Sequence, residues 1–425
     1  MGTLLKENKM FRVFLCYQIF SGLGGGILSI FMLLSVHMLF ENPMYTGIVG
    51  FLGAAPHIIS FVVGPVIDRN NKAVIMRVTT FVEFGVVALL AFTPLLEQLG
   101  VVVMFVVAGV FSSAALFEVP ASTALLPQIV DEKQILQANS LIQIVGMAGG
   151  LVIGVAMFFV LGGEAMDFGV IYGFSAVFLV VAFLSSLFIK DVSSEKKPAD
   201  PTPHSYGKDL KEGAKFICNN VLLFVIIAIV AMFFVAEMAN VNRPAFAEYH
   251  IGAQGYVVLT LAALAGGIAA SGLMGAFGKK SRMGRLFFAT FMITGVARIA
   301  FALVLPESYF GGVAVIMFYA AVGSMTGIAF RSLLQKIPPK DMVGRVNTIE
   351  TTCRTVFIAI GALVGGFLGG VVSDVAHMFI FQGIALLAIG LFVLLVPSIR
   401  KLPKMDDIQQ GREKDTEDTT NINDV

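Results

Sequence analysis

The sequence predicts an all-α membrane protein: twelve transmembrane helices in two pseudo-symmetric six-helix bundles. Composition, the spacing of apolar runs and the placement of charge predict it. Of 425 residues, 57% are apolar and 13% charged, and the mean hydropathy is +0.87, far outside what a water-facing surface tolerates. Apolar runs of about 20 residues, enough for a helix to cross roughly 30 Å of hydrocarbon, recur along almost the whole chain. They are too long and continuous for barrel strands, so each must satisfy its own backbone hydrogen bonds as a helix.

Taken in order, the expected spans are 11–39, 45–67, 74–95, 101–126, 140–162, 168–189, 220–243, 256–277, 285–305, 312–334, 346–372 and 377–397. Span 1 follows Lys6, Lys9 and Arg12. It is longer than a signal-peptide core and has no small-residue cleavage pattern, so it is read as a retained helix. Residues 1–189 form the first bundle, 190–218 a cytoplasmic linker rich in Lys, Pro and Ser with an amphipathic turn near its end, and 219–399 the second bundle. Residues 400–425 form a polar tail with the composition of disorder.

Charge tests the helix count. Of the 29 Lys and Arg residues, 26 fall in the termini and alternate connections, and the opposite set of short loops carries acids such as Glu41, Glu97, Asp167, Glu307 and Asp374. A missed span would scramble this alternation. By the positive-inside rule both termini and the linker are cytoplasmic. Cys16, Cys218 and Cys353 have no paired spacing, which argues against a disulfide framework or a zinc site. No nucleotide-binding glycine pattern is present. No metal, cofactor, nucleic-acid partner or enzymatic activity is expected, and the chain is read as a monomer.

The halves repeat at a fixed offset of 208 residues: "LLPQIVDEKQILQANSL" at 125–141 aligns without gaps on "LLQKIPPKDMVGRVNTI" at 333–349. Leu125/Leu333, Leu126/Leu334, Ile129/Ile337 and Asn139/Asn347 coincide, and the same offset pairs Gly64 with Gly272 and Lys72 with Lys280. Two similar six-helix halves are the plan of a transporter that rocks about a midplane site.

The stretch "GPVIDR" at 64–69, followed by Lys72, resembles the signature loop between helices 2 and 3 of the major facilitator superfamily. "PASTALLPQIVDEKQILQANSL" at 120–141 is similar to the helix 4 to 5 connection of its macrolide-efflux and siderophore-export branch, as are Arg12 and Gln18 in span 1. Helix 5 departs from the family's antiporter motif in having glycines but no Gly-Pro pair. The resemblance implies the major facilitator fold, cavity lining by helices 1, 4, 7 and 10, and export by alternating access in a bacterial cytoplasmic membrane. It also places Asp68 against the cytoplasmic start of helix 11, near Arg345. A helix N-terminus stabilises an aspartate by about 0.3–1 kcal/mol, so Gly64, Asp68, Arg69, Lys72 and Arg345 form a candidate gating latch. Gly64 would allow close helix packing; the alternative is that these charges only set topology.

A charge at bilayer depth costs about 2.5–3.5 kcal/mol on insertion scales, which makes each one a candidate for function. Glu118 and Glu237, on cavity helices, are the preferred proton-coupling or substrate-binding groups. Glu83, Arg354 and Gln18 are secondary candidates. The alternatives are a loop base as partner for Glu118 and Arg243 or Asn240 as partner for Glu237. Glu350 and Arg354 have the spacing of an ion pair, and Arg298 is read as structural. His37 and His57 are read as interfacial, and Gly22 and Gly26 as close-packing positions. Phe111, Met232, Phe233, Phe234 and Met325 would line a greasy cavity.

The expected function is proton-coupled efflux of lipophilic, drug-like compounds, with protons, a small lipophilic substrate and membrane lipid as partners. An endogenous siderophore, lipid or metabolite is the alternative cargo. A non-transporting membrane sensor is the alternative class.

Overall fold

The computed structural model describes residues 8–92, 100–131, 134–160, 167–190, 206–277, 282–339 and 342–402, together with Lys6 and Lys404. Among the described residues the chain is helical, with one isolated bridge between Arg282 and Lys404 and no strand. Among the described residues ten helices are each long and apolar enough to cross a membrane.

In the first half, α1 spans Lys9–Phe40, α2 Pro43–Ala54, α3 Ser60–Arg69, α4 Lys72–Ala91, α5 Val101–Ile129, α6 Ile135–Val160 and α7 Phe168–Ser186. Local chemistry sets several ends. Asn8, Asn42, Asn71 and Asp167 cap α1, α2, α4 and α7 by accepting from first-turn N–H groups. Glu41, in the left-handed region at φ 50°, ends α1. The second span is not the single helix expected over 45–67: a 3-10 turn over Ala55–Ile59 separates α2 from α3. Pro56 lies in that turn, and a proline lacks the N–H that the α ladder needs. α5 instead continues through Pro120 and Pro127.

In the second half, α8 spans Tyr206–Cys218, α9 Leu222–Asn240, α10 Arg243–Phe277, α11 Met283–Glu307, α12 Tyr309–Lys336, α13 Val343–Val371, α14 Ala376–Leu395 and α15 Pro397–Arg400. The expected amphipathic turn of the linker is a full helix, α8, with Gly213 and Ile217 buried and Lys211 and Lys215 exposed. The eighth span was expected to start at 256, but helix begins at Arg243 and is broken at Gly252, at φ 75° and ψ 167°. Only glycine adopts that conformation readily.

The chain divides into two compact units. One contains residues 1–200, 252–257 and 362–370; the other contains the remainder. The first is packed around Phe11, Phe14, Tyr17, Met76 and Leu125, the second around Leu222, Ile229, Phe287, Phe291 and Leu333. Lipid is as apolar as these side chains, so close fit rather than escape from water holds the helices together. Gly24 shows this, since a Cβ there would meet Leu179 at 2.7 Å and the Ser175 carbonyl oxygen at 3.1 Å. Gly22 and Gly26 do not pack closely as expected: they lie on another face of α1, with nothing within 4 Å of an added Cβ.

Candidate functional site

The first unit buries a polar cluster built from three helices. Tyr17 and Ser21 lie one turn apart on α1, Thr80 and Glu83 on α4, and Glu118 on α5 just before Pro120. Glu118 is 8% exposed and Glu83 1%. Oε1 of Glu118 accepts from the Tyr17 hydroxyl in a short hydrogen bond and from Ser21 Oγ at 2.7 Å. The Tyr17 hydroxyl is also 3.0 Å from Thr80 Oγ1. The carboxyl of Glu83 reaches that of Glu118, and its Oε1 has no hydrogen-bond partner.

Neither carboxyl has an ion-pair partner among the described residues. The loop base considered as a partner for Glu118 is replaced by two hydroxyls from α1. Two facing carboxyls without a cation repel unless a proton lies between them. Pro120 also leaves the carbonyl of Leu116 without its usual helical donor, loosening α5 beside Glu118.

The second unit treats its charges differently. Glu237 accepts from Asn240 Nδ2 at 3.3 and 3.4 Å, and Arg243 donates to Asn240 Oδ1, so the three form a chain at the end of α9. Arg354 Nε binds Glu350 Oε1 at 2.8 Å, and its guanidinium stands 5.1 Å from the Phe233 ring centre. Arg298 stacks on Tyr319.

The side chain of Asp68 lies outside the described residues. Gly64 does not provide the expected close approach: it is exposed, and a Cβ there would meet nothing within 4 Å. Arg69 is exposed and Lys72, at the start of α4, is buried. Arg77, from the same charged stretch, donates to the carbonyl oxygens of Ser186 at 3.0 Å and Ile189 at 2.6 Å, beyond the last turn of α7. They lie at and just past the C-terminal end of α7, where helical donors run out, and the Ser186 oxygen also accepts from Ile189 N at 3.1 Å, so this base helps to cap a helix as well as adding topological charge. Arg345 Nη1 binds Glu212 Oε2 of α8 at 2.7 Å, a linker partner that sequence reasoning missed. The sequence pointed to an amphipathic turn near the end of the linker, but not to its docking face.

Phe111 lies against Gly25, 3.3 Å from where a Cβ would stand. Met232, Phe233 and Met325 are half-buried against the core of the second unit, and Phe234 is 6.2 Å from Phe357 between ring centres. Gln18 is half-buried beside the cluster-forming Tyr17. Among the described residues no group of three or more His, Cys, Asp or Glu side chains could hold a metal.

Helical halves with membrane-length apolar helices and buried carboxyls define a multi-pass membrane transporter. The Major Facilitator Superfamily profile matches residues 14–362, and the chain belongs to that family. It is 24% identical over 402 residues to the enterobactin exporter EntS of Shigella boydii serotype 18, with 93% of each chain covered. The enterobactin exporter EntS of Escherichia coli O157:H7 matches to the same extent, 24% over 402 residues.

Among solved structures, a mutant of the nucleoside transporter NupG aligns at a TM-score of 0.71 and 13% identity, covering 90% of this chain and 99% of that one. The xylose transporter XylE from E. coli aligns at 0.68 and 12% identity, covering 94% and 99%. A bacterial homologue of the iron transporter ferroportin aligns at 0.67 and 13%, covering 91% and 98%. These likenesses establish the fold.

Proposed function

We propose that this transporter is a proton-coupled exporter of an amphiphilic organic compound, working by alternating access in a bacterial cytoplasmic membrane with both termini inside. The observation that carries this reading is the carboxyl pair Glu83 and Glu118, buried against hydroxyls with no ion-pair partner among the described residues. A shared proton turns the repulsion of such a pair into attraction, and its departure restores the repulsion. A group that changes the packing of α1, α4 and α5 with its proton count biases a conformational equilibrium.

The likeness to enterobactin exporters favours a siderophore-like endogenous cargo over an antibiotic. The 38 phenylalanines and 20 methionines still suit a shape-tolerant pocket that would admit lipophilic drugs. Residues 64–72 are the gating loop in this reading, by resemblance to the family signature.

The test is flux in vesicles reconstituted with the full chain, under an imposed pH gradient, using a catecholate siderophore and a panel of lipophilic antibiotics. Gradient-driven movement that a protonophore abolishes supports the reading. Binding without flux would indicate a sensor, and flux indifferent to the gradient would remove proton coupling.

A further inference from the structure

The second unit contains a guanidinium that the transport reading does not use. Arg298, in the middle of α11, has its Cζ 3.9 Å from the ring centre of Tyr319 on α12. A cation over a tyrosine ring gains about 0.5–2 kcal/mol, less than the roughly 2.5–3.5 kcal/mol that a charge at bilayer depth costs on insertion scales. Among the described residues no carboxylate balances it. Its Nε is buried without a hydrogen bond, and the like charge of Arg243 acts on it through space.

Three neighbouring side chains share this condition. Tyr319 is 3% exposed with an unpartnered hydroxyl, and Gln382 on α14 is 1% exposed with neither amide atom bonded. Thr294, one turn before Arg298, is 8% exposed with an unpartnered Oγ1. The helix contacts bring them to one level. A Cβ on Gly383 would meet the Gly295 carbonyl oxygen at 2.6 Å and the Ile299 nitrogen at 3.1 Å. That backbone contact packs α14 against α11 at the helical level that carries Gln382 and Arg298. On the α12 side, Thr326 donates to Thr290 at 2.8 Å, which keeps α12 antiparallel to α11 through the Tyr319 level. Phe246, Phe301 and Phe379 form an aromatic wall, with ring centres 4.7–5.5 Å apart.

Arginine N–H, phenol, threonine hydroxyl and amide NH2 are all donors. Native interiors rarely leave so many buried polar groups unpaired. Donors gathered around an unbalanced cation beside aromatic walls suit an anionic oxygen, which gains charge-assisted hydrogen bonds there. We propose that Arg298, Tyr319, Gln382 and Thr294 form a binding site for an oxyanion, either a carboxylate or phenolate of the organic cargo or inorganic phosphate. The identity of the ligand as cargo rests on the transport reading, whereas binding at the site is measured without flux.

The experiment is thermal unfolding of the purified full chain in nanodiscs with sodium benzoate, sodium phosphate or, as ionic-strength control, sodium chloride. Wild type should show saturable stabilisation beyond chloride. Benzoate acting assigns the site to organic anions; phosphate acting alone assigns it to the inorganic ion. Arg298→Met should abolish the effect, and Gln382→Leu should weaken apparent affinity by about tenfold, the loss of one charge-assisted hydrogen bond. Without anion, R298M should melt at or above wild type, because it removes a half-buried charge with no carboxylate partner among the described residues.

No anion-specific stabilisation in wild type, or equal stabilisation in both variants, overturns the proposal. If R298M does not fold, Q382L, which keeps the charge, decides it. A protein that binds benzoate but shows no proton-coupled flux keeps this site and loses the transport reading; the reverse loses this site alone.

Discussion

Replacing Glu118 by glutamine and by alanine separates its hydrogen-bonding role from its proton. In Glu118→Ala the hydroxyls of Tyr17 and Ser21 lose their acceptor. A buried polar group left unsatisfied costs about 1–3 kcal/mol. Tyr17 keeps Thr80 at 3.0 Å, and a helical serine can turn to a carbonyl one turn back. The expected loss is therefore about 2–3 kcal/mol, the low end for two groups. In Glu118→Gln the amide oxygen still accepts both bonds, and the new NH2 can donate to the unpartnered Oε1 of Glu83. E118Q should thus stay within about 1 kcal/mol of wild type, one net hydrogen bond, while gradient-driven flux disappears. Thermal melts by size-exclusion of detergent-solubilised protein give the stability ranking, and pH-jump vesicle assays give the flux. An E118Q protein that pumps normally, or that is as unstable as E118A, refutes the argument.

The packing of α1 gives a second contrast: Gly24→Ala should destabilise by about 1–3 kcal/mol through overpacking against Leu179, and Gly22→Ala should be neutral or slightly stabilising, read by the same melts. Arg77→Met removes hydrogen bonds to the carbonyl oxygens of Ser186, Leu187 and Ile189 at the end of α7 and should cost about 1.5–3 kcal/mol, the range for a charged hydrogen bond, seen as earlier hydrogen exchange of the last turn of α7. Gly252→Ala forces a side chain to φ 75° and should lower the melting midpoint by a backbone strain of about 1–3 kcal/mol; an unchanged midpoint would mean that α10 rearranges freely there.

Features governed by local rules could be read from the chain. Apolar runs marked the helices, because lipid requires about 20 apolar residues wherever a helix crosses. The Glu350 and Arg354 pair was legible because four residues bring side chains onto one helix face. Pro56 was visible, but its effect was not: Pro120 and Pro127 sit inside α5 without ending it, whereas the turn at Pro56 breaks the second span. Whether a proline kinks or breaks a helix depends on whether neighbours satisfy the freed carbonyls. The carboxyl cluster needed the tertiary structure. Glu118 and Glu83 stood out as charges in greasy helices, but that they meet, and that Tyr17, Ser21 and Thr80 join them, appears only when packing brings α1, α4 and α5 together. A polar pair at helical spacing, Tyr17 with Ser21 and Thr80 with Glu83, was the available signal. The phase of α1 explains the glycine error: Gly24, between Gly22 and Gly26, is the one turned toward α7.

The internal repeat supplies a control that no homologue is needed for. α5, α6 and α7 begin at Val101, Ile135 and Phe168, and α12, α13 and α14 begin 208 residues later, at Tyr309, Val343 and Ala376. The equivalents of Tyr17, Ser21, Glu83 and Glu118 in the second half are Val225, Ile229, Phe291 and Thr326, and the first three are buried core there. Conversely, Arg298, Tyr319 and Gln382 correspond to Leu90, Phe111 and Phe174. Apart from Glu118, whose equivalent Thr326 is itself buried and hydrogen-bonded to Thr290, these positions are filled by apolar residues in one copy and by ionisable or hydrogen-bonding residues in the other. The fold does not require polarity at these positions, and polarity there carries a desolvation cost. A cost that the other copy avoids at the same position is best explained by ligand chemistry. It differs between the copies, with excess buried carboxyl in the first and an unbalanced guanidinium in the second, as expected of a protein that handles a proton and an anionic oxygen at separate sites.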